Sequence, residues 1–240
     1  MTAADASGGG CHGRPGDGVG SDRTRLCAGR CAEPAGDDSV RGRQSPAAFL
    51  DRDGTINREV EYLSDCRDLE LLPGAAAAIA RLNRAGIAVV VVTNQAGVAR
   101  GLFPLSRLFE LHAHLDALLA GAGAWVDAYY CCPHHPTEGR GEYRVECDCR
   151  KPKPGMLLWA ARELGLDLTR SVLMGDKLSD LEAGARAGCQ TILVRTGYGA
   201  AQEADWQPAK HGDVIVSDSL REAADHWLAV SDPASWLAQR

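Results

Sequence analysis

Five short apolar runs, each too short for a helix, alternate along this sequence with segments of helical spacing. The runs are Ala47–Leu50, Ile87–Val92, Val126–Tyr130, Ser171–Met174 and Thr191–Val194, and Val214–Val216 is a candidate sixth. None alternates apolar with polar residues, so both faces of each strand must be covered, the signature of a parallel sheet between helices. Helices are expected from Pro73 to Ala85, Pro104 to Ala120, Pro154 to Leu164, from Ser179 onward, and from an N-cap Ser217 to Val230. In the second, Leu105, Leu108, Leu111, Leu115 and Leu118 recur at helical spacing, while His112 and His114 face different directions and read as surface or packing residues. The fold class that follows is α/β, a doubly wound parallel sheet.

In such a sheet the loops that follow the strands share one edge, where ligands bind. The first run ends in Asp51-Arg52-Asp53-Gly54-Thr55. Two carboxylates this close repel one another, and a divalent cation offsets that repulsion. An Asp can also be a nucleophile that forms an aspartyl-phosphate. The same edge should carry Thr93 and Asn94, Arg150 and Lys151, and Asp176 and Lys177. Acids, a hydroxyl and several cations together fit a magnesium-assisted phosphoryl transfer. No G-x-G-x-x-G follows the first strand, which argues against a dinucleotide site.

Residues 1–46 are different material, rich in Gly, Ser, Asp and Arg, with balanced charge and few large apolar side chains. The expectation is a disordered N-terminal tail before one domain over 47–240. Cys11, His12, Cys27 and Cys31 match no common zinc spacing. The net charge of −6 offers no electrostatic footprint for nucleic acid or an anionic membrane. No apolar run is long enough to span a bilayer, and the start lacks the pattern of a signal peptide.

The nine cysteines are an odd number, and they cluster, which argues for metal binding in a reducing cytoplasm rather than for disulfides. Cys132, His134, Cys147 and Cys149 make a structural zinc set of three thiolates and an imidazole. His135 is the second choice for the imidazole. Cys131 points the other way on its strand, and with Cys66 and Cys189 it reads as core.

The order D-x-D-G-T, a Thr at a strand end, a Lys, then G-D-x-x-x-D resembles the haloacid dehalogenase superfamily of phosphatases, from Ala47 to roughly Gly199. That resemblance implies a HAD-like Rossmannoid sheet. It implies Asp51 as nucleophile and magnesium ligand, and Asp53 as general acid/base that also binds magnesium through its backbone carbonyl. Thr93 would bind the phosphoryl group, Lys151 would steady the phosphoaspartate, and Asp176 would complete the metal site.

The zinc loop running into Cys149-Arg150-Lys151-Pro152 is similar to that of the D,D-heptose 1,7-bisphosphate phosphatases and the histidinol-phosphate phosphatases. The long stretch from His135 to Glu146, Gly175-Asp176-Lys177-Leu178-Ser179-Asp180 and Leu193-Val194-Arg195-Thr196-Gly197 resemble the heptose group. Ala96 departs from it, standing where that group usually has Ser. The implied activity is magnesium-dependent hydrolysis of the 7-phosphate of D-glycero-D-manno-heptose 1,7-bisphosphate through an aspartyl-phosphate. The alternatives are a histidinol-phosphate phosphatase and a non-catalytic zinc-stabilised binding module. No large cap domain is visible, so the segment between Thr55 and Pro73 and the zinc loop should be the only covers of the site. Glu59, Glu61 and Tyr62 would then reach sugar hydroxyls, with Asn94 and Gln95 beside them. Arg150 and Lys177 would meet a second anion. The partner is a small sugar phosphate, and the protein is expected to act as a monomer.

Overall fold

The computed structural model describes residues 23–26, 44–208 and 214–231. Seven strands form one sheet: β1 (Thr24–Leu26), β2 (Ala47–Leu50), β3 (Ala88–Asn94), β4 (Ala128–Cys132), β5 (Val172–Gly175), β6 (Gln190–Val194) and β7 (Ile215–Ser217). Their order is β1-β4-β3-β2-β5-β6-β7, and every neighbouring pair is parallel. The expected α/β doubly wound sheet is therefore present.

Strand polarity and period explain the layering. Side chains of a strand alternate between faces. Ala48, Leu50, Val89, Val91, Tyr129, Cys131, Val172 and Met174 pack on one face with helices α1 (Ala75–Arg84), α3 (Ser106–Ala120) and α7 (Leu220–Val230). Ala47, Phe49, Val90, Val92, Tyr130, Cys132 and Leu173 pack on the other with α4 (Gly155–Leu164) and with Ala183 of α5 (Leu178–Ala187). Two short helices, α2 (Ala96–Ala99) and α6 (Gly199–Glu203), follow β3 and β6. Cys131 and Cys132 fall on opposite faces, as their neighbouring positions require.

β2 lies between β3 and β5, so the chain leaves it in one direction and later returns on its other side. Ligands of doubly wound sheets bind beyond the strand ends at such a reversal. Here that places the ends of β2, β3 and β5 around one crevice. Among the described residues no inserted cap domain covers it.

Three expectations need correction. The strand expected over Val126–Tyr130 runs over Ala128–Cys132, because its ladder partner is the longer β3, which carries pairing out to Asn94↔Cys132. The N-cap of α7 is Ser219, whose side chain accepts from the Glu222 amide, whereas Ser217 ends β7. The third concerns the N-terminal segment, where Thr24–Leu26 forms the edge strand beside β4 instead of belonging to a structureless tail. Three consecutive residues can be held by the sheet without a hydrophobic pattern of their own, since the ladder supplies backbone partners. The rest of the expected tail, including Cys11, His12, Cys27 and Cys31, lies outside the described residues.

Several contacts tie the edge strand down. Tyr129 N–H donates to the Arg23 carbonyl at 2.9 Å, the Arg23 guanidinium donates to the Val126 carbonyl at 2.9 Å, and Arg25 pairs with Glu163 at 2.6 Å. Deleting residues 2–44 should accordingly lower stability by roughly 2 kcal/mol, the scale of a few net hydrogen bonds. Denaturant melts of the two chains check this, and unchanged stability would show that the edge strand carries no weight.

Candidate active site

Asp51 and Asp53 leave the end of β2, where the chain turns at Gly54 (φ +85°). A Cβ at Gly54 would collide with the Asp176 carboxylate, and one at Gly197 (φ +56°) would meet both Asp176 and the Gly54 backbone. Glycine at both positions is what lets the β5 loop, the β6 loop and the β2 loop close on Asp176. Asp51, Asp176 and Asp180 bring one carboxylate oxygen each within 4.8 Å of one another, and all three residues are buried. Burial, and then the Asp51 charge, push Asp176 up to about 8. Burial likewise raises Asp180, although Lys151 opposes it. Asp176 Oδ1 is buried without a hydrogen-bond donor. Three buried acids with an orphaned oxygen are a donor set suited to a hard divalent cation with oxygen ligands. Asp180 was not singled out as a site residue, although it is the last letter of the G-D-x-x-x-D run. It sits in the first turn of α5, where helical geometry brings it back beside the strand end.

Lys151 arrives from the loop before α4 and is 3% exposed. Its ammonium contacts Asp51 Oδ1 at 2.9 Å, Asp180 Oδ1 at 2.6 Å and the Val92 carbonyl at 2.8 Å. Burial alone would lower its pKa, but Asp180 and Asp51 outweigh that and hold it above the ordinary lysine value. The lysine is thus a fixed cation beside Asp51.

Asp53 behaves differently. Its Oδ1 accepts from Arg52 Nε (3.1 Å) and Asn57 Nδ2 (2.9 Å), and its Oδ2 from Arg52 Nη2 (2.8 Å) and Gln95 Nε2 (2.9 Å). Burial would raise its pKa, but Arg52 with the Asn57 and Gln95 amides brings the net value below the usual carboxylate range. Four donors on two oxygens are the complement of an ionised acid. Its side chain is not in the buried acid cluster, so any metal contact from Asp53 falls to its backbone.

Thr93 and Asn94 end β3, Gln95 follows them, and all three line the same cavity, of about 520 Å³. Their amides are already engaged, however. Asn94 holds the Lys151 backbone through two bonds of 3.0 and 3.1 Å, and Gln95 Nε2 bridges Asp53 and the Thr93 hydroxyl at 2.9 Å each. They position the machinery as well as facing the ligand space. Glu59, Tyr62, Arg150 and Lys177 also line the cavity. Lys177 pairs with Glu59 at 3.0 Å and lies 4.9 Å from the Tyr198 ring centre. Tyr62 adopts φ +57°, a region that few non-glycine residues enter, and Arg100 stacks 5.2 Å from its ring centre. Arg100, Tyr198 and Gln202 belong to the wall and were not anticipated. Nothing in their local sequence marks them, since their approach depends on how three loops fold together.

The second cluster lies beside this wall. Cys132 and Cys149 are buried and Cys147 is half-buried. The four ligand atoms, His134 Nδ1 included, stand 3.2–3.8 Å apart where contacts are resolved. A tetrahedral zinc with bonds of ~2.3 Å needs sulfur separations near ~3.8 Å, so the residues fit the ion. His135 is excluded from this set, because its Nδ1 accepts from the Glu138 amide at 3.0 Å. The cluster also reaches the cavity, since Arg150 Nη1 donates to the His134 carbonyl at 3.1 Å.

Comparison with known proteins agrees with this geometry. A family described as HAD-hydrolase-like matches residues 148–223. The D-glycero-beta-D-manno-heptose-1,7-bisphosphate 7-phosphatase of Vibrio cholerae is 43% identical over 186 residues, 77% of this chain and 97% of that protein. The enzyme of the same name from Escherichia coli K12 is 45% identical over 161 residues, 67% of this chain and 84% of that one. A crystal structure of the D,D-heptose 1,7-bisphosphate phosphatase of B. bronchiseptica, complexed with magnesium and phosphate, superposes with a TM-score of 0.69 at 39% identity, covering 77% of this chain and 98% of its own.

Proposed function

The chain belongs to the heptose-bisphosphate phosphatase branch of the haloacid dehalogenase-like hydrolases, and we propose that it hydrolyses the 7-phosphate of D-glycero-D-manno-heptose 1,7-bisphosphate. The observation that carries the reading is Asp51, fixed at the end of β2 by a buried lysine and facing two further buried carboxylates.

The residue chemistry supports two half-reactions. In the first, an Asp51 oxygen attacks phosphorus and the bond from phosphorus to the sugar C7 oxygen breaks, while Asp53, which must first take up a proton from solvent against the donors that hold it ionised, gives that proton to the oxygen. In the second, Asp53 takes a proton from water, whose oxygen attacks the phosphoaspartate, and inorganic phosphate leaves as Asp51 is restored. Lys151 balances charge on the phosphoryl oxygens throughout, and Thr93 offers its hydroxyl to one of them. Magnesium held by Asp51, Asp176 and the Asp53 backbone carbonyl, with Asp180 beside them, would supply further charge neutralisation at the phosphoryl group. Arg150 and Lys177, which line the cavity, are assigned to the 1-phosphate, and Glu59 and Tyr62 to sugar hydroxyls. A cluster of soft thiol ligands for a metal suits a cytoplasmic setting. No described helix is long and apolar enough to cross a membrane.

Turnover of both heptose bisphosphate anomers and of histidinol phosphate, with and without magnesium, tests the reading. We expect magnesium-dependent release of one phosphate from the heptose substrate, leaving the 1-phosphate. A preference for histidinol phosphate would overturn it.

Zinc in the Cys132, His134, Cys147 and Cys149 cluster is assigned a structural role, since four protein ligands leave no open position and three thiolates make a poor Lewis acid. Its task is to hold Arg150 and Lys151 at the phosphate site. Replacing Cys149 by Ala should reduce bound zinc and lower turnover on the order of 10²-fold, the cost of about 1 Å of misplacement. Metal analysis and phosphate release on one sample check both, and a zinc-free variant of full activity would sink the clamp.

A further inference from the structure

Between the two acids of the β2 loop stands Arg52, a residue the chemistry above leaves unused. Its side chain is wholly buried, an unusual place for a guanidinium. Nε and Nη2 fork onto the two oxygens of Asp53. Nη1 points the other way, to Nε2 of His112 on α3 at 3.3 Å. His112 is 2% exposed. Its ring lies on Tyr129 with centroids 4.2 Å apart and planes 10° apart. Its Nδ1 is 3.1 Å from the Thr24 hydroxyl on the edge strand.

The donor pattern fixes the tautomer. Arg52 can only donate, so Nε2 must accept and the ring proton sits on Nδ1, where the Thr24 oxygen takes it. A protonated ring would place two cations in contact in a buried site, and burial together with Arg52 indeed holds His112 well below the ordinary histidine value. The ring is thus a neutral acceptor, locked by a stack on one side and a hydroxyl on the other. A guanidinium is planar and rigid, so anchoring Nη1 sets the plane of the whole fork. That plane sets one donor to each Asp53 oxygen, beside those from Asn57 and Gln95.

We propose that His112 is a positioning residue for the reaction, acting through Arg52 to orient Asp53 toward the leaving oxygen, with Thr24 of the N-terminal edge strand holding its ring. The proposal rests on the phosphatase reading and deepens it. No bond to His112 or Arg52 forms or breaks. The proton that Asp53 gives goes to the sugar oxygen as its bond to phosphorus breaks.

The consequence is selective. An alkyl phosphate such as the sugar substrate has a poor leaving group and depends on a placed acid, whereas p-nitrophenyl phosphate releases a stable phenolate and depends on it little. His112→Phe keeps the stack on Tyr129 and removes both hydrogen bonds. His112→Gln returns an acceptor toward Arg52. Single-turnover phosphoenzyme formation, measured with both substrates on the full chain with magnesium, reads the first half-reaction alone. For His112→Phe the rate with the sugar phosphate should fall ~10–10²-fold, and the loss with p-nitrophenyl phosphate should be several-fold smaller. His112→Gln should recover most of it, with KM near the parent value in both variants. Equal losses on the two substrates, or none, in a folded His112→Phe protein would overturn the proposal. If that variant fails to fold, Thr24→Val decides: a smaller loss with the same leaving-group dependence supports it, and a rate ratio equal to the parent's overturns it. An unsubstituted protein that forms no phosphoenzyme from either substrate would instead refute the phosphatase reading, which keeps the two failures distinct.

Discussion

Replacing Asp51 by Asn should reduce turnover on the order of 10⁶-fold, the scale seen when a hydrolase loses its nucleophile. The amide matches the carboxylate in size, so packing at the end of β2 is kept, but it is a far weaker nucleophile toward phosphorus. Lys151 retains Asp180 and the Val92 carbonyl as partners, so its buried ammonium is not stranded. The variant should therefore fold and melt near the parent temperature. Phosphate release and mass analysis for a phosphorylated peptide read the result. Activity within tenfold of the parent would remove Asp51 from the role.

Asp53→Asn should cost ~10²–10⁴-fold, the range for a general acid or base. A structural cost comes with it. The carboxylate accepts from four donors in this structure, whereas an amide offers one oxygen and turns its NH₂ toward donors already there. Arg52, buried and losing its counter-charge, should make the variant less stable by about 3 kcal/mol. Rate and stability thus fall together at Asp53 and separate at Asp51. A chemical denaturation curve beside the rate measurement distinguishes the two positions, and an Asp53 variant with parent-like turnover would count against its acid/base role.

Much of the site is legible without coordinates because it is carried by local grammar. Asp51 and Asp53 end a run whose apolar character marks a covered strand. Thr93, Asp176 and Lys177 occupy the same station on two other strands. Parallel strands in a doubly wound sheet must gather those stations at one edge. The Cys/His cluster is legible because soft ligands at close spacing are rare outside metal sites, and Cys131 is separable from Cys132 by strand alternation alone. The same reasoning puts Asn94 and Gln95 at this edge, where they line the cavity, but it does not give their engagement with Lys151 and Asp53, because hydrogen-bond partners across loops leave no trace in spacing.

What remained for the tertiary structure has a common physical cause. Asp180 needs the α5 turn to bring it back over the strand end. Arg100 reaches the wall by stacking on Tyr62, and Glu138 of the zinc loop pairs with it. Thr24 has no pattern of its own, and its strand exists because β4 presents an open ladder. Arg52 reads as an ordinary charged turn residue, and His112 as packing on a leucine-rich helix. Their meeting depends on α3 lying against the β2 loop. Periodicity and motif spacing record which way a residue faces along its own element. They do not record which neighbour it meets, since that is decided by long-range packing that brings residues 24, 52 and 112 to one point. Sequence alone thus determined the sheet, its working edge and the acids proposed to react, while the fold decided how those acids are held.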